Sequence, residues 1–337
     1  MKSYRKWMKI FISVFISVCL LIISLNYFVD PFGVFGDKYF KMYGYNMKQN
    51  IRMAKIGYLD SHFTQFDSYI IGGSKSGSLL PKSAEKYFKG SKFYNLTMTG
   101  GRFYDYQKTL EYIIKNYKVK NIILQISQLE IDKPGTSKGF SGMLNGKVES
   151  DFPALFFLQT LFQHPQYSIE KIKEAQKWTR EYEAQFFYNY KNGSYNREKQ
   201  DIEIENDSKK YYSNKALFPD KEKPKLGKAI QENLNIMKKI VKLCEENDIN
   251  LLTISAPTYK VEMDSYPKAL WVDYMTEIGK ITDYWNFSGY NSINNSNTNF
   301  YDNEHFRVKV GDMILAKIFG DKSIEVPLDF GNKISKE

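Results

Sequence analysis

Residues 68–78 read Ser68-Tyr69-Ile70-Ile71-Gly72-Gly73-Ser74-Lys75-Ser76-Gly77-Ser78, a short apolar run that breaks abruptly into small residues. An unbroken apolar run bounded by a turn signal fits a strand buried on both faces, the form strands take in parallel sheets. The glycines and serines behind it allow a sharp strand-to-helix turn that sets a hydroxyl at the carboxyl end of the strand. Working outward, β-branched or aromatic runs recur at residues 92–96, 121–126, 250–255 and 281–287, with helical periodicity at 104–116, 227–246 and 306–319. This alternation predicts an α/β fold, a parallel sheet covered by helices on both faces, with functional loops beyond the carboxyl ends of the strands.

Between about residues 132 and 226 the alternation gives way to aromatic, charged, helically patterned sequence, and a structureless loop of that length is unexpected in a compact domain. A helical insertion is predicted there. Residues 30–67 read as a stalk and lead-in with a short helix from about Ile51, and the Asn-rich stretch 291–299 as a solvated loop. The α/β domain itself is placed at 68–325.

Residues 10–29, IFISVFISVCLLIISLNYFV, carry no charge. As a helix they would cross a hydrocarbon core of about 30 Å. Lys2, Arg5, Lys6 and Lys9 precede them without an acid, so the positive-inside rule predicts a cytoplasmic tail at 1–9, a single-pass anchor at 10–29 and an extracytoplasmic remainder. A cleaved signal peptide fits less well, because Asn26-Tyr27-Phe28-Val29-Asp30-Pro31 follows where small residues would mark a cleavage site.

With 42% hydrophobic and 26% charged residues the chain has enough apolar surface for a core, which excludes a disordered or collagenous protein. The formal charge of +10 falls to +6 once the four positives ahead of Ile10 are set aside. Lysines alternate with acids instead of forming a focused patch, so nucleic acid is not an expected partner. Cys19 lies within the apolar run and Cys244 far from it, which argues against a disulfide. Three histidines, His62, His164 and His305, leave almost no ligands for a metal, and no cofactor is implied.

Chemistry concentrates in two places. Ser74 follows the first strand, and Asp302-Asn303-Glu304-His305 stands at the expected entrance of the last helix. A hydroxyl nucleophile needs a base near neutrality, which imidazole supplies, and a carboxylate three residues earlier can fix its tautomer. Each piece also has an ordinary reading: a βα loop with a serine cap, an Asp302 that caps the helix, and a Lys75 that is a solvated loop charge.

Taken together, the two pieces resemble the SGNH/GDSL hydrolase superfamily. Within it, the anchor and the segments YFVDPFGVF, YIIGGSKSGS, FYNLTMTGG and WNFSGYN…FYDNEHFR are similar to the membrane-anchored SGNH-like proteins of cell-surface polymer O-acylation, such as DltD and the alginate and cellulose acetylation proteins. The resemblance implies a three-layer, flavodoxin-like parallel sheet. It also implies Ser74 as nucleophile, His305 as general base and Asp302 as its orienting carboxylate. The oxyanion hole would draw on the Ser74 N–H and on Gly100 or Gly101, with Asn95 orienting the loop. Two positions depart from the family pattern: Gly73 replaces the usual Asp, and the third block reads Leu124-Gln125-Ile126-Ser127-Gln128-Leu129-Glu130, where Gln128 or Ser127 must stand in for an asparagine donor.

The expected function is O-acyl transfer, of acetyl most simply, to a cell-surface polysaccharide or exopolysaccharide beside a multi-span membrane-bound O-acyltransferase. A carbohydrate esterase of the same type and a non-catalytic scaffold for that partner are the alternatives.

Overall fold

The computed structural model describes residues 2–127, 140–150, 152–183, 186–223 and 227–336. The strands are β1 (Ser68–Gly72), β2 (Phe93–Thr97), β3 (Asn121–Ile126), β4 (Asn250–Ser255), β5 (Tyr284–Asn286) and β6 (Asn332–Ile334). The helices are α1 (Lys2–Val29), α2 (Tyr43–Gln49), α3 (Ile51–His62), α4 (Pro81–Glu85), α5 (Phe103–Asn116), α6 (Pro153–Leu161) and α7 (Gln166–Ala175), then α8 (Glu198–Asn206), α9 (Ser208–Tyr212), α10 (Ile230–Glu246), α11 (Lys268–Gly279) and α12 (Val308–Phe319), with single turns between them. Two compact units form: one from Met1–Ser61 with Leu144–Phe186, the other from His62–Met143 with Phe187–Glu337. The stretch 132–226 therefore divides between them.

In the sheet unit the strand order is β2-β1-β3-β4-β5-β6. β1 pairs in parallel with β2 (Ser68 opposite Phe93) and with β3 (Ser68 opposite Asn121), and β3, β4 and β5 continue in parallel. Because β2 lies on one side of β1 and β3 on the other, the order reverses at β1, and the crevice beyond the carboxyl ends of β1 and β3 is a topological switch point. The five expected strands all form, β5 shorter than its apolar run suggested. β6 went unread because its three residues are exposed and carry no apolar run; it closes the edge antiparallel to β5, Trp285 opposite Lys333.

Ile70, Ile123 and Ile254 pack with Leu79, Ala84 of α4 and Val310, Ile314 and Leu315 of α12 in one buried cluster. Each buried Ile, Leu or Val side chain there contributes on the order of 1.5–3 kcal/mol. Helix α11 was also missed, although its buried Trp271, Tyr274, Met275 and Ile278 follow helical spacing.

In the other unit, α1 is long and apolar enough from Tyr4 to Val29 to cross a membrane, and none of its most apolar window is buried. The chain then folds back on itself at Asp30, whose carboxylate accepts the Val34 (2.8 Å), Phe35 (2.9 Å) and Asp37 (2.9 Å) amides. The segment read as a stalk holds α2 and α3 as well as this turn.

Candidate active site

Ser74 opens a 3-10 turn, Ser74–Ser78, directly behind β1. The turn is held from beneath by Asn95 of β2, fully buried, which donates to the carbonyls of Ser76 (2.7 Å) and Leu79 (2.9 Å) and accepts the Thr97 amide (2.7 Å). Thr97 and Ser76 hydroxyls both donate to the Gly73 carbonyl at 2.8 Å. The Asn95 side chain thus holds the Ser74 turn. As the first residue of its helical turn, Ser74 presents an N–H with no intrahelical acceptor.

Asp302 and His305 lie in the loop before α12, not at its entrance. Arg307 occupies the N-cap position, so Asp302 does not cap the helix. It caps its own turn instead: Oδ1 accepts the Glu304 and His305 amides, each at 2.8 Å. That turn swings the imidazole back, and Nδ1 of His305 sits 2.8 and 2.9 Å from the two Asp302 oxygens. A carboxylate on Nδ1 favours the tautomer with its proton there, which leaves Nε2 as the proton acceptor. Burial pushes the Asp302 carboxyl up, but the His305 hydrogen bond, its charge, the Glu304 amide and the Arg197 guanidinium outweigh it and hold the group below the ordinary carboxylate range.

The two segments meet through Lys75. Its ammonium donates to the Glu304 carbonyl at 2.8 Å and pairs with Glu262. Lys75 is 5% exposed and Glu262 4%, which corrects the reading of Lys75 as a solvated charge. Burial raises the Glu262 pKa, with Lys75 opposing it. Lys75 follows Ser74 and Glu304 precedes His305 in the chain, so this bond ties the turn behind β1 to the Asp302–His305 loop. Ser74 and His305 are each half-buried, and among the described residues neither the Ser74 hydroxyl nor His305 Nε2 makes a hydrogen bond.

An aromatic pin that the sequence reading missed adds to this tie. Tyr188 and Tyr195 bridge as an antiparallel pair, and the Tyr195 amide donates to the Gly77 carbonyl at 2.9 Å. Its ring lies 6.3 Å from the imidazole. A Cβ on Gly77 would come within 2.5 Å of that ring, so the close approach requires glycine. Arg197 stacks its guanidinium on Phe187 (4.5 Å), Tyr195 (4.8 Å) and Tyr301 (4.8 Å). From the same part of the chain, Tyr211 donates to the Tyr301 carbonyl (2.8 Å), and Asn303 donates to the Pro219 carbonyl (3.0 Å), so this stretch braces the Asp302–His305 loop. The only sequence signal for this was the density of aromatics, which reads equally as helix packing.

Of the oxyanion candidates, the Gly101 amide is already bonded to the Met98 carbonyl (2.9 Å), while Gly100, at φ 61°, is half-exposed on the same turn. Ser127 is buried directly behind β3, and Gln128 lies outside the described residues. His62 closes α3, and His164 accepts the Gln166 amide at Nδ1 (3.2 Å) in the turn before α7. Compared with known proteins, the sequence matches no family model and no curated relative.

Proposed function

We propose that this chain is a membrane-tethered serine O-acyltransferase of the SGNH type, built on a three-layer α/β sheet outside the cytoplasm and acting on a surface polysaccharide. The observation that carries the reading is the His305 imidazole held at Nδ1 by both Asp302 oxygens, on a loop tied through Lys75 to the Ser74 turn. His305 Nε2 takes the Ser74 hydroxyl proton as Oγ attacks an acyl carbonyl. The Ser74 and Gly100 amides stabilise the oxyanion. Collapse returns the proton to the leaving oxygen and leaves an acyl-serine. A sugar hydroxyl then gives its proton to Nε2 and takes the acyl group, and the proton goes back to Ser74. A multi-span O-acyltransferase is the partner that would pass acyl groups outward, with α1 raising the local concentration of the two.

Incubation of the full chain with an activated acetyl ester should place an acetyl group on Ser74, detected by mass spectrometry of the peptide, and His305→Ala should abolish it. An unmodified Ser74 with full polymer acylation in cells carrying Ser74→Ala would overturn the reading. That result would favour the scaffold, which the absence of an asparagine from Leu124 to Glu130 supports. Rapid ester hydrolysis without transfer to oligosaccharide would favour the esterase.

A further inference from the structure

Helix α6, residues 153–161, reads PALFFLQTL and is flanked by Phe152 and Phe162. Phe152 (75% exposed), Leu155 (58%), Leu158 (49%) and Phe162 (50%) recur at helical spacing and form one uncovered apolar face, while Phe156 and Thr160 are buried. A patch of four large apolar side chains marks a site of interaction with something apolar.

The attachment of α6 indicates what that is. Helix α6 packs on α1, the apolar helix that ends at Val29. Asn26, 2% exposed in the last turn of α1, donates to the carbonyls of Leu161 (2.8 Å) and Gln163 (2.7 Å) and accepts the Ser168 hydroxyl (2.7 Å). The Leu161 carbonyl is among those the end of a helix leaves without an intrahelical partner. In water such groups need no protein partner, whereas in or near hydrocarbon each unpaired one costs several kcal/mol. One turn further out, Lys171 of α7 donates to the Asp30 carbonyl and to Asn46, both at 2.9 Å, and pairs with Asp37 at 2.8 Å. Polar groups at this level are therefore satisfied internally while the outward face is apolar. Tyr27 and Phe28 in the last turn of α1 and Tyr39 after it, rings suited to a membrane interface, are exposed as well.

We propose that α6 is a second membrane contact: an in-plane interfacial helix whose Phe152, Leu155, Leu158 and Phe162 enter the acyl region of the leaflet that α1 leaves at Val29. The inference rests on α1 crossing the bilayer, but not on any catalytic role. It implies that this unit is fixed at the membrane surface by two elements and does not swing on one.

The test uses the full chain carrying Cys19→Ser and Cys244→Ala in phosphatidylcholine–phosphatidylglycerol nanodiscs, spin-labelled at single Leu155→Cys, Leu158→Cys, Lys173→Cys or Leu21→Cys. Labels at Leu155 and Leu158 should be relaxed by oxygen and shielded from a water-soluble nickel chelate several-fold more than the label at Lys173, which is exposed on α7. Chelate access at Leu155 equal to that at Lys173, with Leu21 still shielded, overturns the proposal and leaves the anchor intact. Shielding of Leu155 from oxygen and chelate alike also overturns it, in favour of a protein partner on this face. Chelate access at Leu21 overturns the anchor itself.

Discussion

The ammonium of Lys75 ties the Ser74 turn directly to the His305 loop, and it does so from a buried position against Glu262. A buried pair broken on one side leaves an uncompensated charge, at a cost of about 3–5 kcal/mol. Glu262→Gln alone should therefore destabilise the sheet unit by about that amount in a denaturant titration, and adding Lys75→Met should recover more than half. Equal midpoints for the single and double variants would show that the pair is not coupled. A second residue-scale effect belongs to Asp30. Burial, opposed by Lys171, raises its carboxyl from 3.8 to about 6. Between those values the folded state binds the proton and the unfolded state does not. This contribution to stability is thus full below about 3.8 and is lost as pH rises through about 6. Hydrogen-exchange protection at the Val34 and Asp37 amides, corrected for intrinsic rates, should decline across that window, and Asp30→Asn should flatten the decline. A slope unchanged in Asp30→Asn would assign the titration to another group.

Among elements, the 3-10 turn behind β1 depends on a strand next to it more than on its own sequence. Asn95 satisfies two carbonyls of the turn and orients itself through Thr97. Asn95→Ala strands these buried groups and should cost roughly 2–4 kcal/mol by thermal or denaturant melting. If Ser74 acts as proposed, the same variant should lose acyl-adduct formation beyond what its loss of folded protein explains. Wild-type stability in Asn95→Ala would show that the turn holds itself. The loop before α12 is built on the same plan. Its backbone is bent by Asp302 and braced by Tyr211 and Asn303, so the imidazole position is set by neighbours spread across residues 187–223.

For the whole molecule, the strand order places β1 and β3 inside the sheet, each paired on both sides, with Ile70 and Ile123 in the core. Central strands open only with global unfolding. Amide exchange should therefore be slowest in β1 and β3 and fast in exposed β6, and Ile123→Ala should lower global stability by about 2–5 kcal/mol. Protection of β6 equal to that of β3 would contradict this topology.

Much of this architecture was legible locally. Buried strands leave apolar runs, amphipathic helices leave a 3.6-residue period, and a long apolar helix leaves a long charge-free stretch; β1 to β4, α5, α10 and α1 follow from those signals. The pairing of Asp302 with His305 was legible for the same reason, since three residues of chain keep them together. What only the tertiary structure decided lies farther apart. Lys75 meets Glu262 across 187 residues, and Tyr195 packs on Gly77 beside His305. No local period encodes such contacts, because they arise only when the sheet brings the ends of distant strands to one rim.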